Sequence, residues 1–252
     1  MDLGLAGKRL IITGATRGLG QAIARELVAE GMDIAFCART AEAVAAAEAD
    51  FAARGARAKG FVLDVRDAAA YRAFLADALA FLGGCDVFIP NVSAKAGLEG
   101  EAQWQANFEV DLMGAVRGME AMADALIAAR GAALFLVTTA ALEHFPVVQP
   151  YNVMKATLIV YAKQLSQTLG AKGVRVNCIS PGSIYYEGSS WQRAERANPA
   201  FFEMVRKSIP EGRLGTPAEV ARLAAFLVSP AASWVNGENI VVDGGQIKRV
   251  HY

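Results

Sequence analysis

Short apolar runs alternate along this chain with alanine-rich segments of helical period, and that alternation dictates the fold class. The runs are RLIIT (Arg9–Thr13), DIAFCA (Asp33–Ala38), AKGFVL (Ala58–Leu63), DVFIP (Asp86–Pro90), ALFLVT (Ala133–Thr138) and VRVNCIS (Val174–Ser180). NIVV (Asn239–Val242) is a seventh candidate. They read as buried strands, apolar nearly throughout rather than at every second residue. A parallel sheet covered by helices on both faces requires that pattern. Between the runs, Leu19, Ile23 and Leu27 recur every four residues, and Leu158, Ala162, Leu165 and Leu169 do much the same. That spacing places each set on one helix face. Strand, helix, strand, repeated, predicts an α/β, doubly wound Rossmann-type fold. Its single, mostly parallel sheet has about seven strands with helices on both faces.

No proline-, glycine- or serine-rich linker divides the 252 residues, so one domain spanning 1–252 is expected. With 54% hydrophobic and 20% charged residues, the chain can bury a core and is not a disordered one. Lysine plus arginine equal aspartate plus glutamate at 25 each, so no basic surplus points to nucleic acid or an anionic membrane. No apolar run reaches the ~18 residues of a membrane span. The N-terminal MDLGLAGKRLIIT lacks the regions of a signal peptide. A soluble cytoplasmic protein with a small-molecule partner is the expectation. Cys37, Cys85 and Cys178 are odd in number, lie in apolar stretches and lack metal-ligand spacing, so they read as buried free thiols. No metal site is expected. One irregular region, Ser180 to Gly212, interrupts the alternation. Its span 183–212 is read as a substrate-binding flap within the domain, since long insertions in compact domains are usually functional.

After the first run comes TGATRGLGQAI, with Gly14, Gly18 and Gly20 spaced Gly-x-x-x-Gly-x-Gly. Glycines between a strand and a helix permit a tight turn and let the backbone approach a pyrophosphate at the helix N-terminus. The spacing differs from the usual Gly-x-Gly-x-x-Gly and resembles that of the short-chain dehydrogenase/reductase family. The resemblance covers nearly the whole chain. LDV (Leu63–Val65) follows the third run, PNVS (Pro90–Ser93) the fourth and Thr138 the fifth. Tyr151 with Lys155, NCISPG (Asn177–Gly182) and VNGENIVVDGG (Val235–Gly245) come next, in the family's order and close to its spacing. The resemblance implies a nicotinamide dinucleotide held by Gly14, Thr16, Arg17, Gly18, Leu19 and Gly20 in the turn. Asp64 and Val65, Asn91, then Pro181, Gly182 and Ile184 would contribute further along, besides Tyr151 and Lys155.

The second run ends at Ala38-Arg39. An acidic side chain there would bond the ribose 2′-hydroxyl of NAD; Ala38 supplies none. Arg39 and Arg17 instead suit a 2′-phosphate, which a guanidinium grips with two parallel hydrogen bonds. NADP(H) is the cofactor expected. Tyr151 and Lys155 stand at i and i+4 and share a helix face. A phenol of pKa ~10 is a poor base at neutral pH. A neighbouring ammonium is expected to lower it, which makes Tyr151 the general acid/base.

The family's catalytic serine position holds Thr138, with Thr139 beside it as the alternative hydroxyl. Asp111, in FEVDLMG, stands where the family has its fourth catalytic residue, an asparagine; its charge would hold Lys155 as ammonium, or it is a structural hydrogen-bonder. Further departures are Pro90 and Ser93 in PNVS, and Tyr186 where many members place a threonine, a contact that Ser183 or the Ile184 backbone could replace. Tyr185, Tyr186, Trp191, Phe201 and Phe202 line a substrate pocket or pack the flap, with His144 and Phe145 on the opposite rim. The resemblance implies an NADP(H)-dependent oxidoreductase acting between a ketone and a secondary alcohol, assembled as a dimer or tetramer with QIKRVHY at an interface. The alternatives are a 3-oxoacyl-carrier-protein reductase and a catalytically silent NADP-binding regulator.

Overall fold

A computed structural model of the chain describes residues 2–94, 100–144 and 147–250. Seven strands form one all-parallel sheet: β1 (Arg9–Thr13), β2 (Asp33–Ala38), β3 (Ala58–Val62), β4 (Val87–Ile89), β5 (Ala132–Leu136), β6 (Arg175–Pro181) and β7 (Asn239–Val242). Their order is β3-β2-β1-β4-β5-β6-β7. The chain starts mid-sheet, winds outward to β3, then returns to lay β4 on the other side of β1. Where the winding reverses, the loops leaving the two strands diverge and open a crevice at their carboxyl ends.

The helices are α1 (Gly18–Ala29), α2 (Ala41–Ala53), α3 (Ala68–Leu82), α4 (Glu101–Asn107), α5 (Gly114–Ala129), α6 (Pro150–Gly170), α7 (Ser190–Ala197), α8 (Pro199–Ser208) and α9 (Pro217–Val228). Two cores follow from the pleat, because successive strand residues point to opposite faces. Leu10 and Ile12 of β1 pack with Ile23 and Leu27 of α1, Phe51 of α2 and Val220 and Ala224 of α9. Ile11, between them in sequence, packs with Phe74 of α3, Met119 of α5 and Leu158 of α6. This is the predicted doubly wound arrangement.

Three details differ from the sequence reading. β3 is an edge strand and is not fully buried; Val62 is 54% exposed. Continuous apolarity cannot distinguish a covered strand from an edge one. β4 ends at Ile89, before Pro90, which has no N–H for the ladder. The region after β6 is not irregular. It carries α7, capped by the Ser189 side chain accepting from Gln192 N at 3.0 Å, and α8, capped by Asn198 accepting from Phe201 N at 3.1 Å. Among the described residues, no helix is long and apolar enough to cross a membrane.

Candidate active site

The crevice begins at the glycine turn. Gly14 (φ +75°) and Gly18 (φ +58°) occupy the left-handed region that side chains disfavour. Gly20 is helical, but a Cβ there would collide with the Gly14 carbonyl oxygen and Asn91 Nδ2. Asn91, leaving β4, donates from Nδ2 to the carbonyls of Thr13 and Gly14, both at 3.0 Å. The backbone N–H groups of Asn91 and Val92 donate to Thr13 Oγ1 at 2.9 and 3.1 Å. Asn91 therefore spends its amide donors on holding the turn. Helix α1 then starts at Arg17 with no side-chain cap and no acidic residue in its first turn. Its first N–H groups and positive dipole end are left for an anion. A cradle closed to any Cβ and an uncapped helix start fit a dinucleotide pyrophosphate.

Ala38 and Arg39 lie beside this turn, since Gly14 N donates to Cys37 O at 2.9 Å at the end of β2. Arg17 and Arg39 are both exposed. Arg66, which the sequence reading overlooked, grips Asp64 through Nη2 at 2.7 Å and Nε at 3.0 Å. The Arg66 hydrogen bond holds the Asp64 carboxyl below its usual range, and Arg39 acts in the same direction. Val65 is buried in the core, so only its backbone is available to a ligand.

Across the crevice, Thr138 follows β5 and Tyr151 opens α6, with Pro150 at the first helical position. The Thr138 side chain hydrogen-bonds the Tyr151 phenol, whereas Thr139 is buried. The geometry thus brings Thr138, not Thr139, to the phenol. Lys155, one turn on, donates to the Leu136 carbonyl at 2.9 Å. Its Nζ also lies 3.2 Å from Asp111 Oδ1, as an ion pair without hydrogen-bond alignment. Their side chains are 3% and 0% exposed. Asp111 Oδ2 accepts from Ala94 N at 3.1 Å.

Asp111 sits in a π-helical segment, Phe108–Met113, between α4 and α5, a widening often found at functional sites. The expectation that Lys155 lowers Tyr151 needs correction for the protein alone. Burial pushes the phenol up, the Asp111 carboxylate pushes it further, and the Thr138 hydrogen bond only partly offsets this. The carboxylate that neutralises Lys155 removes the lever assumed from sequence.

Pro181 ends β6, paired with Val242 of β7. Gly182 abuts Asp243, and Ser183 N donates to Gln246 Oε1 at 2.8 Å. Ser183 N is therefore already engaged, and Gln246 serves its own chain. Ile184 is buried and bridges to Gly215 through its neighbours: Gly215 N donates to Ser183 O at 2.9 Å and Tyr185 N to Gly215 O at 2.8 Å. Tyr186 reaches back to the glycine turn; a Cβ on Gly18 would come 2.8 Å from its hydroxyl. The other aromatics of this region pack on one another. Trp191 stacks on Phe201 at 5.9 Å, and Tyr185 meets Phe202 edge-on at 6.1 Å. His144 is exposed; Phe145 lies outside the described residues.

Comparison with known proteins agrees with this fold. A family model described as enoyl-(acyl carrier protein) reductase matches residues 14–246. Isoepoxydon dehydrogenase patN of Penicillium expansum is 37% identical, over 97% of this chain and 96% of its own. Dehydrogenase/reductase SDR family member 4 of Oryctolagus cuniculus is 32% identical, over 98% of this chain and 96% of its own. Among solved structures, L-sorbose reductase of Gluconobacter frateurii, complexed with NADPH and L-sorbose, superposes with a TM-score of 0.90 at 27% identity, covering 99% of this chain and all of that one.

Proposed function

Since the chain belongs to the short-chain dehydrogenase/reductase family of oxidoreductases, we propose that it is an NADP(H)-dependent carbonyl reductase acting between a ketone and a secondary alcohol. The observation that carries this reading is the set Thr138, Tyr151 and Lys155 beside a pyrophosphate-shaped glycine turn. NADPH in the similar L-sorbose reductase, and arginines where NAD would want an acid, support the cofactor assignment.

The turn residues Gly14, Thr16, Arg17, Gly18, Leu19 and Gly20 would hold the pyrophosphate, Arg17 and Arg39 the 2′-phosphate, and Asp64 and Val65 the adenine end. Pro181, Gly182 and Ile184 would face the nicotinamide end. The bound cofactor supplies the hydride. Thr138 donates a hydrogen bond to the substrate carbonyl oxygen and stabilises its growing negative charge. Tyr151 delivers its phenolic proton to that oxygen, completing the alcohol, and regains a proton before the next turnover. Lys155 and Asp111 hold the charge balance beneath it. Val153 and Val160 on α6 and Val147 and Val148 before it are exposed apolar residues, which supports assembly into a dimer or tetramer.

A second reading is reduction of a 3-oxoacyl group on a carrier protein; the description of the family model shares the carrier with it, though it names reduction of an enoyl group. An acidic carrier would need a basic patch at the mouth. In the flap Arg206 is paired with Glu203 at 2.8 Å, which weakens that reading. The test is NADPH consumption with a panel of ketones and a 3-oxoacyl thioester. Turnover of ketones is expected. Turnover of the thioester alone selects the second reading, and tight NADPH binding without any turnover makes the protein a silent binder.

A further inference from the structure

Asp111 is a deeply buried carboxylate beside the candidate site. Its residue is 2% exposed, and among the described residues its cation contact is the equally buried Lys155. A carboxylate this deep persists as an anion only beside a compensating charge. The pairing works in both directions. It holds Lys155 between Asp111 Oδ1 and the Leu136 carbonyl, with the ammonium 5.9 Å from the centre of the Tyr151 ring. The phenol takes its hydrogen bond from Thr138 instead.

We propose that Asp111 is a positioning residue that neutralises Lys155, denies Tyr151 a free counter-ion for its phenolate, and so sets this site for proton donation in carbonyl reduction rather than proton removal in alcohol oxidation. The proposal rests on the carbonyl-reductase reading above.

Among the described residues, the charges that face Tyr151 come from several packed elements. Asp111 projects from the π segment and opposes the phenolate. Lys155, on the same helix, would favour the phenolate but is already paired. Tyr186, after β6, adds a second phenol that opposes ionisation. Cys178 of β6 lies within the field of Lys155, and its own burial keeps it a neutral thiol. The N-terminus of α6 favours the phenolate modestly. Burial and Asp111 push Tyr151 up, so it is a phenol throughout the neutral range.

The sign of the pH dependence follows. Reduction requires the phenol: its O–H bond breaks, the proton goes to the substrate oxygen, and the carbonyl carbon receives the hydride. Reduction is therefore flat across neutral pH and falls only in alkali. Oxidation requires the phenolate to accept the alcohol proton while the alcohol carbon gives up hydride to oxidised cofactor. Its rate climbs with pH until the phenol ionises.

Asp111→Asn keeps the shape and the acceptor for Ala94 N but removes the charge. The phenol is then free of the opposing carboxylate.

The test needs no turnover. The near-ultraviolet tyrosinate absorbance is titrated with alkali in the wild type, Asp111→Asn, Tyr151→Phe and the double variant. Subtracting each Tyr151→Phe partner isolates Tyr151. Its midpoint should fall by about one pH unit or more in Asp111→Asn. An unchanged midpoint overturns the proposal.

If Asp111→Asn does not fold, the wild type still decides. Its oxidation rate must climb steadily into alkali, and a plateau reached at neutral pH overturns the proposal. A protein that turns over no substrate refutes the reductase reading while leaving the titration as the measure of Asp111.

Discussion

Replacing Asn91 by alanine removes both Nδ2 hydrogen bonds at the base of the glycine turn, those to the Thr13 and Gly14 carbonyls at 3.0 Å each. The main-chain bonds from residues 91 and 92 to Thr13 Oγ1 remain. Leaving a buried carbonyl unpaired costs about 1–3 kcal/mol, and Asn91 is half-buried, so the low end applies: about 1 kcal/mol each, about 2 in all. For a domain of this size that lowers Tm by roughly 4–8 °C. Some of the same energy must then be supplied on binding to restore the turn, weakening NADPH by up to about thirtyfold. Asn91→Asp, nearly isosteric, sets an oxygen against the two carbonyls and should be worse than alanine. Thermal melts with and without NADPH, and NADPH titration by fluorescence, read both effects. An alanine variant with wild-type Tm and affinity, or an aspartate variant no worse than alanine, would refute the assignment of Asn91 as the clamp of the turn.

Arg39→Ala should weaken NADPH about tenfold or more while leaving NADH within about twofold, because a guanidinium bound to the 2′-phosphate has no partner on NADH; equal losses in parallel titrations remove Arg39 from phosphate recognition. Burial pushes the Cys37, Cys85 and Cys178 thiols from 9.0 up to about 12. A proton held more tightly in the folded chain gives stability that is complete below about pH 9 and is lost as pH rises towards about 12. Urea midpoints should hold up to the first value and fall beyond it, and a midpoint flat through this window contradicts neutral buried thiols.

The doubly wound sheet was legible because its signals are local. Seven runs, two helix faces and a glycine turn each report their own position, and consecutive pieces assemble in few ways. Where the sequence reading failed, the deciding fact lies in the folded arrangement, sometimes far along the chain and sometimes one or two residues away. AKGFV looks like a covered strand, yet its exposure depends on being last in a spatial order no single run encodes. Ser180–Gly212 looked irregular because α7 and α8 are short, 8 and 10 residues, and bury none of their residues fully, unlike the long core-facing helices. In the candidate site, Thr138 and Thr139 are equivalent as letters; one backbone step decides which hydroxyl meets Tyr151. Arg66 stands two residues from Asp64, and that spacing was the available signal for its grip. The effect of Asp111 on Tyr151 needed the folded distances, because Lys155 acts on the phenol only with the charge its ion pair leaves free.

Tyr151→Phe tests proton transfer by Tyr151 most directly, as it deletes one oxygen and leaves the ring over the same helix turn. Single-turnover reduction of a ketone that the wild type accepts, followed by NADPH absorbance with cofactor affinity measured in parallel, is the measurement. Reduction should fall by at least about a hundredfold while NADPH binds within a few-fold of wild type. Reduction at the wild-type rate in that variant would contradict Tyr151 as the proton donor.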